Sequence, residues 1–113
     1  QNLSSAAEWF EQAAERGSAN AQFTLGMWYA RGHGVVADDA VSAGWYLKAA
    51  EQEHPRAQLE LAMAYEEGRG VQQNLTAAEY WFAKAAANGV SQERRRSAPP
   101  WQRLRQWLTG LFM

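Results

Sequence analysis

The feature that most constrains this chain is that it repeats itself at a fixed interval. Trp9, Trp45 and Trp81 stand 36 residues apart, and the pairs Ala13-Ala14, Ala49-Ala50 and Ala85-Ala86 that follow them keep the same spacing. Laid without gaps over residues 53–88, residues 17–52 match at twelve of 36 positions: Ala21, Gln22, Leu25, Met27, Tyr29, Gly32, Gly34, Val35, Trp45, Lys48, Ala49 and Ala50 all recur. A third of the positions identical is a duplication, not chance, so the chain reads as an array of units. Stacked units bury their apolar faces mainly against their neighbours.

Each unit holds two helical patterns. In the first, Ala21, Leu25, Tyr29 and Gly32 fall at spacings of three and four, one face of a helix that the glycine ends. Gly32-His33-Gly34 then invites a chemical reading, as a phosphate cradle or a metal loop. Its counterpart, Gly68-Arg69-Gly70, keeps both glycines and replaces the histidine. A ligating histidine would not alternate with arginine, whereas a backbone needing positive φ requires only the glycines, so the stretch is a turn. Asp38 and Asn74 follow it where an N-cap acceptor is wanted. In the second helix Trp45 and Ala49 make the expected buried stripe. The alanine pairs let helices approach closely, and the Trp-Tyr or Trp-Phe pairs ahead of them fill the remaining space. The spacing predicts an antiparallel helical hairpin, repeated.

The bulk numbers agree with one small domain. At 113 residues, with 47% hydrophobic residues and a mean hydropathy of −0.53, the chain has no apolar run near the roughly 18 to 20 residues that span a bilayer. It has no cysteine, which removes disulfides and thiol chemistry and leaves the compartment open. It begins at Gln1, so the start of the natural chain is not visible in it. Charge is uneven. Residues 1–90 carry six Lys/Arg against eleven Asp/Glu, a net of −5, and residues 91–113 carry five Arg against one Glu, a net of +4.

Three elements carry a family resemblance: Leu25-Gly26-x-x-Tyr29, then Gly-x-Gly-Val, then Trp45-Tyr46-Leu47-Lys48-Ala49-Ala50. Together they resemble the Sel-one-like repeats, relatives of the tetratricopeptide repeats, and the resemblance implies an all-α fold: a short right-handed α-α superhelical solenoid of helical hairpins, here expected with a C-terminal capping helix. The resemblance covers about residues 4–90, as a half unit at 4–17 and full units at about 19–53 and 55–89. A basic linker at 91–98 and an amphipathic helix at 99–113 are expected to follow. There are two departures: Ala62 stands where the family prefers glycine, and Glu53-His54-Pro55 replaces the Gly17-Ser18-Ala19 link. Pro55 suits a first helical position, so the second departure reads as a different cap.

What the resemblance implies is a protein–protein interaction module, an adaptor or scaffold or the immunity partner of a bacterial toxin, with no cofactor and no catalysis of its own. By the same resemblance the side of the first helices opposite the core stripe lines a concave groove for a protein or peptide. That assigns partner binding to Asn20, Phe23, Met27 and Arg31, and to Arg56, Met63 and Glu67. Trp28 joins them because its counterpart is Ala64, so the repeat does not require an aromatic there. For Phe23, Met27, Leu59 and Met63 a second expectation competes, packing between adjacent helices.

Chemistry finds little support. His33 and His54 are the only histidines, and neither has companions at metal-ligand spacing. The acidic pairs Glu66-Glu67, Glu51/Glu53 and Asp38-Asp39 read as solvated faces and caps, though a small envelope-associated hydrolase-like enzyme using groove carboxylates is the rival they would serve. The tail is the last feature. Arg94-Arg95-Arg96 reads as a solvated linker, with no nucleic acid expected. Beyond Pro99-Pro100, Trp101, Leu104, Trp107, Leu108, Leu111 and Phe112 share one helical face. At about 1.5 Å per residue such a helix is about 18 Å long, too short to span a membrane. It is expected to cap the end of the array, with docking on a partner or second subunit, or peripheral contact with a membrane, as the alternatives. Uncovered ends also leave room for a homo-oligomer.

Overall fold

The structure, a computed structural model, describes residues 3–90, so the linker, the C-terminal segment and its face of Trp101, Leu104, Trp107, Leu108, Leu111 and Phe112 lie outside the described residues. Five α-helices occupy them: α1 (Leu3–Glu15), α2 (Ala19–Arg31), α3 (Asp39–Glu51), α4 (Pro55–Glu67) and α5 (Leu75–Ala87). Each packs mainly on its neighbours in the chain, which is the helical-hairpin solenoid expected from the repeat.

The helix ends follow from local chemistry. Asp38 accepts hydrogen bonds from the Ala40 and Val41 amides at 3.0 and 3.1 Å, and Asn74 accepts from Ala77 at 3.0 Å. Ser18 starts α2 by accepting from Ala21, and His54 starts α4 in the same position, its Nδ1 accepting from the Ala57 amide at 3.1 Å with Pro55 behind it. Gly32 and Gly68 both end their helices at φ 70°, donating back to Trp28 and Ala64 carbonyls. The two turns are then closed alike, by Asp38 donating to the Tyr29 carbonyl and Asn74 to that of Tyr65. Gly70 must be glycine for a second reason: a Cβ there would overlap the Asp39 carbonyl oxygen at the start of α3.

The core runs along the array as three adjoining clusters. Ala14, Ala21 and Leu25 form the first, Phe23, Tyr46, Ala49, Ala50, Ala57 and Leu61 the second, and Ala62, Ala78 and Phe82 the third. One expectation is corrected here. Trp45 and Trp81 are half-buried, and Trp9 is 63% exposed, whereas the neighbouring Tyr46 and Phe82 are buried. The alanine pair marks the line of closest helix approach. Tyr46 lies three residues before Ala49 and four before Ala50, so it points along that line, while Trp45 sits about 100° round the helix. Its indole packs beside the first cluster instead, with Lys48 Nζ 4.8 Å from its ring centre.

Polar groups tie the helices too. Gln58 has no exposed surface; its Nε2 donates to the Ala50 carbonyl at 3.1 Å, and its Oε1 accepts from Asn88 at 2.9 Å. Gln22 does the same one unit earlier, donating to Ala14 and accepting from Gln52. Each glutamine therefore joins the second helix of one hairpin to both helices of the next. Buried amides are tolerated where their donors and acceptors are met in this way.

Candidate interaction surface

The expected binding residues divide once placed on α2 and α4. Asn20, Arg31, Arg56 and Glu67 are exposed, and Met27 and Met63 are half-buried, each resting on a core cluster with part of its side chain in solvent. Phe23 does not belong to an open groove. At 7% exposure it lies between α2, α3 and α4, stacked on His54 with centroids 4.7 Å apart, while the Arg56 guanidinium stands 5.3 Å from its ring. Trp28 is half-buried against α1, edge-on to Phe10 at 5.0 Å and near His33 at 5.4 Å. Leu59 packs on the third cluster. For Phe23 and Leu59 the packing alternative describes the structure.

His54 is better described as a cap than as a solvated loop residue. With Nδ1 accepting from Ala57, the proton sits on Nε2, which donates to Asn20 Oδ1 at 3.1 Å and ties the starts of α2 and α4 together. Burial lowers its pKa, and the Arg56 charge adds to that, so the neutral ring that the cap needs is the favoured form. Glu53 sits at φ 65°, a left-handed backbone held by glycine in the equivalent Gly17 and Gly89. Its carboxylate accepts from Lys84 at 3.0 Å and Asn88 at 3.2 Å, and these bonds lower its pKa.

Sequence reasoning missed a small cavity beside this face. It lies between α2, α3 and α4, where Ala30, Asp39, Ser42, Ala43, Tyr46, Glu60, Ala64 and Arg69 come together. Ser42 Oγ donates to the Gly26 carbonyl at 2.6 Å. A Cβ on Gly26 would lie 2.6 Å from Tyr46 Cε1, so the glycine is what lets that ring close on α2. Burial, and next the negative Glu60, push the Tyr46 hydroxyl up to about 12. Burial also raises the Glu60 carboxyl, against the opposing pull of Arg69, Arg56 and Arg31. The available signal was the comparison of units. Glu60 and Tyr46 replace Thr24 and Phe82 at equivalent positions, and Thr24 only returns its hydroxyl to the Asn20 carbonyl of its own helix.

Three members of the acidic pairs have structural partners. Asp38 caps α3, Glu53 holds α5, and Glu67 pairs with Arg69 at 3.1 Å on the surface. Among the described residues no three His, Asp or Glu side chains are placed to hold a metal, and no helix is long and apolar enough to cross a membrane.

Comparison with known proteins gives a consistent result. The Sel1 repeat matches residues 1–18, 19–54 and 55–90. Among solved structures, a Sel1 repeat protein from Oxalobacter formigenes aligns with a TM-score of 0.77 and 40% identity, over 78% of this chain and 36% of that one. The c5321 protective antigen of uropathogenic Escherichia coli strains, which displays an SLR fold, aligns with a TM-score of 0.77 and 39% identity, over 80% of this chain and 19% of that one. Helicobacter pylori cysteine rich protein B gives 0.77 and 29%, over 82% and 69%. The chain thus spans only about a third and a fifth of the first two. No curated protein matches it.

Proposed function

The chain belongs to the Sel1 repeat family, and from that premise we propose that it binds a partner protein along the face shared by α2 and α4 and performs no chemistry there. The Sel1 repeat is a protein–protein interaction module, and its members are generally non-enzymatic scaffolds. One observation carries the choice of face. Met27 and Met63 recur at the repeat period, yet each stays partly exposed, and the exposed residues around them change between units: Asn20 to Arg56, and Arg31 to Glu67. Packing explains a recurrent methionine that is fully covered; it does not call for one left partly open within a variable charged rim. An apolar centre with a polar rim is the anatomy of an interface, and methionine adapts its shape to what it meets. An adaptor, a scaffold or a toxin's immunity partner would all use such a face.

The test is site-specific photo-crosslinking in native lysate. A crosslinker at Arg31 or Arg56 should capture the same partner, and one at the exposed Val36 should not. Double replacement of Arg31 and Glu67 by Ala should then weaken that partner's binding at least tenfold, with helicity unchanged by circular dichroism. Full affinity in the double variant would move the site off this face.

A further inference from the structure

The junctions between successive hairpins use equivalent positions but differ in bulk at one of them. At the first junction the Trp28 ring rests edge-on against Phe10, centroids 5.0 Å apart, and 5.4 Å from His33. Thirty-six residues on, those three positions are Ala64, Tyr46 and Arg69, and all three line the cavity between α2, α3 and α4. The place that an indole fills at the first junction is left to an alanine at the second, with the aromatic floor kept. That floor is held in place, because α2 approaches the Tyr46 ring as closely as only Gly26 allows.

The lining also says what kind of group fits. Glu60 borders the cavity and makes no ion pair among the described residues, since the two salt bridges there join Arg69 to Glu67 and Lys84 to Glu53. Arg31, Arg56 and Arg69 all act on its charge, so a further cation is poorly placed beside it. A neutral N–H or O–H donor meets no such repulsion, and a carboxylate partly removed from water gains from one.

We propose that this cavity takes a tryptophan or tyrosine side chain of a partner protein. The ring rests on Tyr46 as Trp28 rests on Phe10, Arg69 stands at its edge in the place of His33, and its N–H or O–H is donated to Glu60. Ala64 is only 4% exposed, so the ring enters by displacing Glu60 and Arg69, the two long side chains of the lining. The source of the ring rests on the interaction reading above. The seat itself does not, because it can be tested with a free probe.

That probe is N-acetyl-L-tryptophanamide, titrated into the full chain carrying 13C-methyl alanine. The expected result is saturable shifts of the Ala43 and Ala64 methyls, with a dissociation constant on the order of 1 mM for so small a ligand. Ala64→Trp fills the seat from within and should abolish the shift of the Ala43 methyl, the reporter that this variant keeps. Ala64→Met, a smaller plug that a helix accepts readily, should weaken the binding read at the Ala43 methyl at least tenfold and decides the matter should the Trp variant not fold. Trp28→Ala should add a second seat over Phe10, seen at the methyl of Ala7, which stands 36 residues before Ala43 at the equivalent position. A probe that moves neither the Ala43 nor the Ala64 methyl, or that binds a folded Ala64→Met chain undiminished, overturns the proposal and leaves the α2–α4 face reading to its own crosslinking test.

Discussion

His54 uses both ring nitrogens, one to accept from the first turn of α4 and one to donate to Asn20, and only the neutral ring can do both. Its folded-state pKa lies below the ordinary 6.5, so the folded chain resists protonation that the unfolded chain accepts. The stability it contributes is present in full above about pH 6.5 and is lost as the pH falls through the lower folded-state value. His54→Asn keeps a cap acceptor that does not titrate in this range. The thermal midpoint of the parent chain is therefore expected to fall between pH 7 and pH 5 by more than that of the variant, and parallel pH profiles would remove His54 from the account. The cap was only half legible in the sequence. Pro55 announced a helix start, but histidine is an unusual cap, and the position was recognisable only through its equivalence to Ser18. Phe23 was harder still. Helical spacing set it opposite Leu25, yet the following hairpin covers that side with His54 and Ala57, and a single helix's periodicity carries no information about a third helix.

At the scale of the helix and its turns, the repeat told more, because comparing two copies separates what the backbone demands from what a ligand would. The Gly-x-Gly turn is the clear case. Gly70 holds φ 76° and faces the Asp39 carbonyl, so Gly70→Ala combines a left-handed alanine with a backbone clash, and a loss of about 2 kcal/mol or more is expected in urea unfolding. Arg69→His, which copies the first turn into the second, should stay within about 0.5 kcal/mol, since the surface pair with Glu67 contributes little. Depth along a helix face was less legible. Identity between copies marked the tryptophans, while the buried ring beside them differs, Tyr46 in one unit and Phe82 in the other, and so went unmarked. Phe82→Ala should accordingly cost about 3 to 5 kcal/mol and the half-buried Trp81→Ala clearly less. Equal losses would restore the tryptophan to the centre of the core.

For the whole molecule, the fold was legible because a solenoid is one interface repeated, whereas the partner was not, since that surface belongs to two molecules and only one of them is in the sequence. The end of the array raises the last question. Ala50 has no exposed surface because α4 covers it, but its counterpart Ala86 is exposed, as are Ala83 and Ala87 on the same helix. A stacked array needs its terminal apolar face closed. The 23 residues that follow Val90 contain the segment with Trp101, Leu104, Trp107, Leu108, Leu111 and Phe112 at helical spacing, and their net charge of +4 opposes the −5 of residues 1–90. Ten residues, 91–100, lie between Val90 and that segment, and at about 3.3 Å each they reach about 33 Å, ample for the chain to turn back along a helix of 13 residues. Closure from within the chain is the proposal these facts favour over docking on a second subunit or on a membrane. A chain ended after Val90 should then unfold with lower cooperativity, at a lower midpoint, or aggregate, and adding residues 99–113 back as a separate peptide should raise the midpoint in a concentration-dependent way. A truncated chain as stable and monomeric as the parent would assign the segment to a partner or a bilayer instead, and binding to liposomes, present in the full chain and absent in the truncated one, would choose the bilayer.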